Sequence, residues 1–153
     1  MMWFVHYTFN LFFVFFLWTF VVYVMHRLAH NFSFLYYFHR DHHEQVTNRK
    51  IKGLHWTNYF LFFDNWKSTI DQWITEIIPA IIISYLFDQY VIFVAYYIWA
   101  AFIQESVEHN SKINFFPWLT SGKWHLIHHE YETKNFGVIT WVWDRLFKTY
   151  AHI

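Results

Sequence analysis

Twelve histidines stand in a chain of 153 residues, and nine of them fall into ordered sets. Three sets are His26-Arg-Leu-Ala-His30, His39-Arg-Asp-His42-His43 and His125-Leu-Ile-His128-His129. Between the last two lies Gln104-Glu105-Ser106-Val107-Glu108-His109-Asn110. On a helix, positions i, i+3 and i+4 share one face. Each His-x2-His-His therefore aims three imidazoles at one point, and His26 with His30 aims two. Glu105 and His109 are in the same i, i+4 register, so Glu105 is the expected carboxylate ligand, with Glu108 as its rival. Nine histidines and one carboxylate exceed what one four- to six-coordinate ion accepts and suffice for two. Imidazole and carboxylate without sulfur suit iron, zinc or manganese, and spacing does not select among them.

The bland reading of these histidines is accident. With 12 histidines in 153 residues, one His-x2-His-His is expected about 0.07 times by chance, so two copies argue for design. The other three lack this patterning. His6 lies inside an apolar stretch, His55 in a second one, and His152 is next to last; each is read as a structural or solvated residue.

The elements that must position these sets are read from composition. Hydrophobic residues make up 56% of the chain, aromatic ones 27% and charged ones only 14%. Disorder is excluded by so much apolar side chain. Eleven Lys and Arg balance eleven Asp and Glu, which removes the electrostatic case for nucleic acid. The absence of cysteine excludes disulfides, thiolate metal sites and a cysteine nucleophile. Residues 2–25 contain no charged side chain, with Trp3 and Trp18 toward the ends. That is long enough for a membrane-spanning helix. It lacks the basic start, short core and small residues of a cleaved signal, so a retained span is expected.

Residues 77–104 form a second apolar region, broken only by Asp88-Gln89. As one helix it would be about 42 Å long, longer than the hydrocarbon core, and as two arms each is short. Charge position favours two arms. All eleven Lys and Arg lie in 27–67 or 112–148. Short basic segments stay cytoplasmic, and a hairpin returns both to one face. Residues 54–63 are apolar and aromatic but too short to cross, and suit an interfacial helix. Pro79 is expected near the start of the first arm, where its missing N–H costs least. The fold class is thus all-α: one N-terminal span (2–25), a membrane hairpin (77–104), and metal-site segments at 26–67 and 105–153 on the cytosolic face. With few Gly and Pro there is no linker, and 1–153 reads as one domain.

The sequence resembles the fatty acid hydroxylase/sterol desaturase superfamily of integral-membrane di-metal oxidases. The likeness lies in His26-x3-His30, His39-x2-His42-His43, His109-Asn110, His125-x2-His128-His129 and the tail Asn135-Phe-Gly137…Trp143-Asp144-Arg145-Leu146-Phe147-x-Thr149-Tyr150. It implies a binuclear centre, usually iron, that activates O2 to hydroxylate or desaturate a lipid C–H bond. Electrons would come from a separate cytochrome b5-like or ferredoxin-like protein, since no fused donor segment is visible. Three departures stand out. Glu105 occupies a place where the family usually has histidine, Lys148 one where it usually has glycine, and members are commonly longer, with another span before the first set.

His26 follows directly on the first span, so the two metal ions are expected at the membrane–water boundary. Asp41, Asn135 and Asp144 are candidates for hydrogen bonds that fix the tautomer of ligand histidines. Solvation of Asp41, or a structural clamp at Trp143-Asp144-Arg145, is the competing reading. Among other functions, a zinc hydrolase wants three ligands and an open water site, which ten donors overfill, and HExxH is absent. A bis-histidine haem carrier needs histidines facing each other within spans, and a transporter needs polar residues along them. Which lipid is the substrate is not legible.

Overall fold

A computed structural model of the chain describes residues 2–51, 53–115 and 119–151, with side chains from residue 5 onward. His152 and the side chain of Trp3 lie outside the described residues. These residues are helical or irregular; one isolated bridge, Asn114 to Gly122, is the nearest approach to a strand among them.

Helix α1 (Met2–Asn31) is apolar on every side before Arg27. Its apolar window is only 28% buried, and Phe9, Phe12 and Phe13 are more than half exposed. A helix of that kind needs apolar surroundings. Phe32 breaks it by adopting an extended conformation, and α2 (Ser33–Thr47) folds back against its end. The turn sets His26 and His30 opposite His39 and His43.

The hairpin follows. Asn65 caps α3 (Trp66–Gln72), its Oδ1 accepting from the N–H groups of Lys67 (2.8 Å) and Ser68 (3.1 Å). The helix continues through a π turn (Trp73–Ile77) into α4 (Ile78–Leu86). The chain reverses at 87–89, with Asp88 at φ 52°. It returns as α5 (Tyr90–Trp99), a second π turn (Ala100–Gln104) and the short α6 (Glu105–Val107). Both arms outrun residues 77–104. From Trp66 to Leu86 the rise is about 30 Å. Among the described residues, Tyr90–Val107 and Val5–Asn31 are the two helices long and apolar enough to cross a membrane.

Pro79 stands in the first turn of α4, as its missing N–H predicts, although the arm as a whole begins at Trp66. The π turn before it accommodates the ring: the Ile78 N–H bonds Trp73 O, five residues back. Within residues 54–63 the helix is a short 3-10 turn (Trp56–Phe60) with Trp56 and Phe60 exposed. Leu61 ends it at φ 54°, its carbonyl accepting from Trp73 Nε1 at 3.0 Å, while Leu61 and Phe63 turn into the core.

The core unites Val14, Trp18 and Val22 of α1 with Ile77, Ala80 and Ile83 of the first arm and Ile92, Tyr96 and Ala100 of the second. Trp18 meets Tyr96 edge-on at 5.6 Å, and Phe13 meets Phe87 at 5.9 Å. Phe13, near the middle of α1, thus lies beside the hairpin's reversal, and the histidine-bearing end of α1 lies at the hairpin's open end. There α7 (Lys123–Glu130) and α8 (Val142–Leu146) close the structure. Trp143 of α8 donates from Nε1 to Thr19 Oγ1 (3.0 Å), and Phe147 stacks on Tyr23 (5.6 Å).

Candidate metal centre

Nine histidines from α1, α2, the turn after α6, and α7 converge into two adjoining groups. One is His26, His30, His39, His43 and His128; the other is His42, His109, His125 and His129. Within each group the donor atoms all lie within 4.8 Å of one another. The groups touch: the rings of His43 and His129 are 4.2 Å apart.

The tautomers follow from the partners. His26 Nδ1 donates to Phe136 O at 2.8 Å, His128 Nδ1 donates to Lys134 O at 2.7 Å, and His39 Nδ1 donates to Asp71 Oδ2 at 2.9 Å. A carbonyl or carboxylate oxygen can only accept, so Nδ1 carries the proton and Nε2 presents its lone pair. Those lone pairs face one another. Nε2–Nε2 separations are 3.1 Å for His30–His128, 2.9 Å for His30–His39 and 3.1 Å for His39–His43. In the second group they are 3.2 Å for His42–His109 and 2.9 Å for His125–His129. The Nε2 of His26 is buried without a partner.

Buried lone pairs aimed at a common point repel unless a cation lies between them, so the residues fit metal ions. Two nitrogens held about 2.0–2.1 Å from one ion lie about 2.9 Å apart at a right angle and about 3.3 Å apart at a tetrahedral angle. The observed separations, 2.9–3.2 Å, span the interval between the two and fit either geometry. Burial and the neighbouring imidazoles push the pKa of His42 down to about 4 and lower those of His43, His109, His125, His128 and His129. These six imidazoles are therefore neutral at pH 7, as metal binding requires.

Glu105 belongs to neither group of converging donors; it lines a pocket with His109 and another with His42, His125 and Glu108. Glu108, 5% exposed, stands beside the four-histidine group, its Oε1 3.9 Å from His125 Nε2. Of the other polar candidates, Asp41 accepts from Asn65 Nδ2 (2.7 Å) and from Gln45 Nε2, tying α2 to the cap of α3 instead of to a histidine. Asn135, at φ 54°, pairs with Ala151 through both backbone groups (2.8 and 3.2 Å). It thereby fixes the segment whose two neighbouring carbonyls hold His26 and His128. Asp144 accepts from Phe136 N (2.9 Å), Gly137 N (2.8 Å) and Thr149 Oγ1 (2.7 Å). It acts on His26 only through Phe136.

Two carboxylates were missed in sequence. Asp71 orients His39, and Glu132 reaches toward Nδ1 of both His30 (3.6 Å) and His43 (3.7 Å). A charge on a mainly apolar arm, as at Asp71, is the signal that points to a partner. His6 is exposed, and His55 contacts Thr57 Oγ1 (3.1 Å), away from both groups.

No curated protein and no solved structure matches the chain significantly. The family model described as fatty acid hydroxylase matches residues 11–149, a stretch that includes all nine clustered histidines and both carbonyls that anchor them. The chain belongs to the fatty acid hydroxylase family, as its histidine sets and tail suggested.

Proposed function

We propose that the protein is an O2-dependent membrane oxidoreductase that hydroxylates or desaturates a lipid C–H bond at two iron ions. The observation that carries this reading is the pair of adjoining histidine groups with their Nε2 atoms turned inward. Family membership supplies the reaction class, an oxidoreductase. An all-imidazole set with carboxylates close by and no sulfur suits iron, and the reaction class of the family calls for a redox metal. A bound binuclear iron centre supplies reductive O2 activation and hydrogen abstraction from an unactivated C–H bond.

The chain's own residues do the rest. His26, His39 and His128, held by Phe136 O, Asp71 and Lys134 O, present fixed Nε2 donors, while burial keeps water from the ligands. An apolar groove of about 180 Å³, lined by Phe15, Trp18, Ile92, Tyr96, Trp99 and Ile139, opens between α1 and α5 and suits a lipid chain. Both basic segments lie at the histidine end, which supports a cytosolic-face centre in a multi-pass protein. Two electrons per turnover would come from a separate cytochrome b5-like or ferredoxin-like protein.

The test is elemental analysis of anaerobically handled, detergent-purified protein, followed by lipid turnover with a reductant. About two irons per chain are expected. His128→Ala should lose metal and activity, and His6→Ala should keep both. Zinc alone, or full activity in His128→Ala, overturns the reading.

A further inference from the structure

Beside the four-histidine group stands a carboxylate that the metal-site reading has not used. Glu108 is 5% exposed. Its Oε1 faces His125 Nε2 across 3.9 Å. Its Oε2 accepts from Gln104 Nε2 at 3.0 Å, and Gln104 Oε1 in turn accepts from Gln72 Nε2 at 2.9 Å. Among the described residues no Lys or Arg forms an ion pair with it.

We propose that Glu108 is the fifth protein ligand of the ion held by His42, His109, His125 and His129. This rests on the metal reading above. Burying an uncompensated carboxylate is costly, and a cation between Glu108 and the clustered Nε2 atoms removes that penalty. Two donors bonded at about 2.1 Å to one ion are at most about 4.2 Å apart, so the 3.9 Å gap is within reach. The relay from Gln72 through Gln104 orients the free oxygen as outer partners orient a ligating carboxylate. The second π turn makes this arrangement: it ends at Gln104, and Glu108, one turn later, points inward with it while Glu105 does not join the group. With Glu108 both groups have five protein donors.

The experiment is metal titration of the apo-protein against a competing chelator, with Fe(II) as the probe and bound iron measured per chain. Wild type should hold two ions. Glu108→Gln, which is isosteric and keeps an oxygen for Gln104, should hold only one at the chelator level where wild type keeps both. Glu105→Gln should keep both. Gln104→Met leaves the ligand in place and should weaken one ion about 10- to 100-fold, which keeps the test alive if Glu108→Gln does not fold. Two ions at wild-type affinity in folded Glu108→Gln, or in Gln104→Met when Glu108→Gln does not fold, overturns the proposal. Fewer than two ions in wild type overturns the metal reading itself.

Discussion

Asp71 offers the sharpest probe of how the histidines are held. It sits on α3, 9% exposed, and its Oδ2 accepts the Nδ1 proton of His39 at 2.9 Å. His39 Nε2 lies 2.9 Å from His30 Nε2 and 3.1 Å from His43 Nε2, so the ring held by Asp71 is central to the five-histidine group. Removing a partner of this kind costs about 10- to 100-fold in metal affinity, which is about 1.4–2.7 kcal/mol. Asp71→Asn keeps an oxygen able to accept but loses the charge, so it should fall at the low end. Asp71→Leu loses both and should fall at the high end. The loss should be larger for the ion of the five-histidine group, because Asp71 bonds His39 there and acts on His42 of the other group only through its charge. Chelator competition on the apo-protein, read as ions bound per chain, resolves the more weakened site from the less. Wild-type affinity for both ions in a folded Asp71→Leu protein would refute the reasoning.

Three further outcomes follow from the geometry. Asp144→Ala strands the N–H groups of Phe136 and Gly137 and the Thr149 hydroxyl; a loss of about 2–4 kcal/mol is expected in denaturant unfolding, together with weaker binding of the ion at His26. Gly122 precedes α7 at φ +72°, and an added Cβ would run into the Ile113 carbonyl. Gly122→Ala should therefore cost at least about 1–2 kcal/mol in thermal unfolding and disturb His125, His128 and His129 together. The apo-protein should lose stability as pH falls from about 6.5 to about 4: the unfolded chain protonates its histidines near 6.5, whereas burial holds His42 neutral down to about 4, so the unfolded state binds more protons across that window. A melting temperature that stays flat between pH 7 and 4.5 would contradict this.

The histidine sets were legible in sequence because helical spacing is a local property, and α1, α2 and α7 realise it at His26/His30, His39/His42/His43 and His125/His128/His129. The reversal at Asp88 was legible for a similar reason: a charge and an amide interrupt an otherwise apolar run. What holds the ligands was not. His39 meets Asp71 across 32 residues and His26 meets Phe136 across 110. In the second case the acceptor is a backbone carbonyl, which leaves no trace in residue type. Which of Glu105 and Glu108 stands beside the second group was not legible either, since helical spacing brings both within reach of it and only the fold sets Glu108 Oε1 3.9 Å from His125 Nε2. The 3-10 turn at Trp56–Phe60 escaped for a related reason, since ten apolar residues do not declare which way Leu61 will turn.

The two π turns explain why a polar chamber sits beneath the histidines within apolar arms. A π turn inserts one residue and rotates the helix after it. The turn at Trp73–Ile77 contains Glu76, 8% exposed, and the turn at Ala100–Gln104 ends on Gln104, 2% exposed. Asp71, Glu76, Glu105 and Glu108 line one pocket with His26, His39, His42 and His125. Carboxylates gathered in a buried pocket without lysine or arginine partners destabilise one another. Two divalent ions beside them, held mainly by imidazoles, would bring four positive charges. Each arrangement is costly alone, and together they offset one another. The acidic chamber and the histidine groups are therefore one electrostatic unit, so replacing several of these carboxylates by amides should weaken both ions even where no ligand changes.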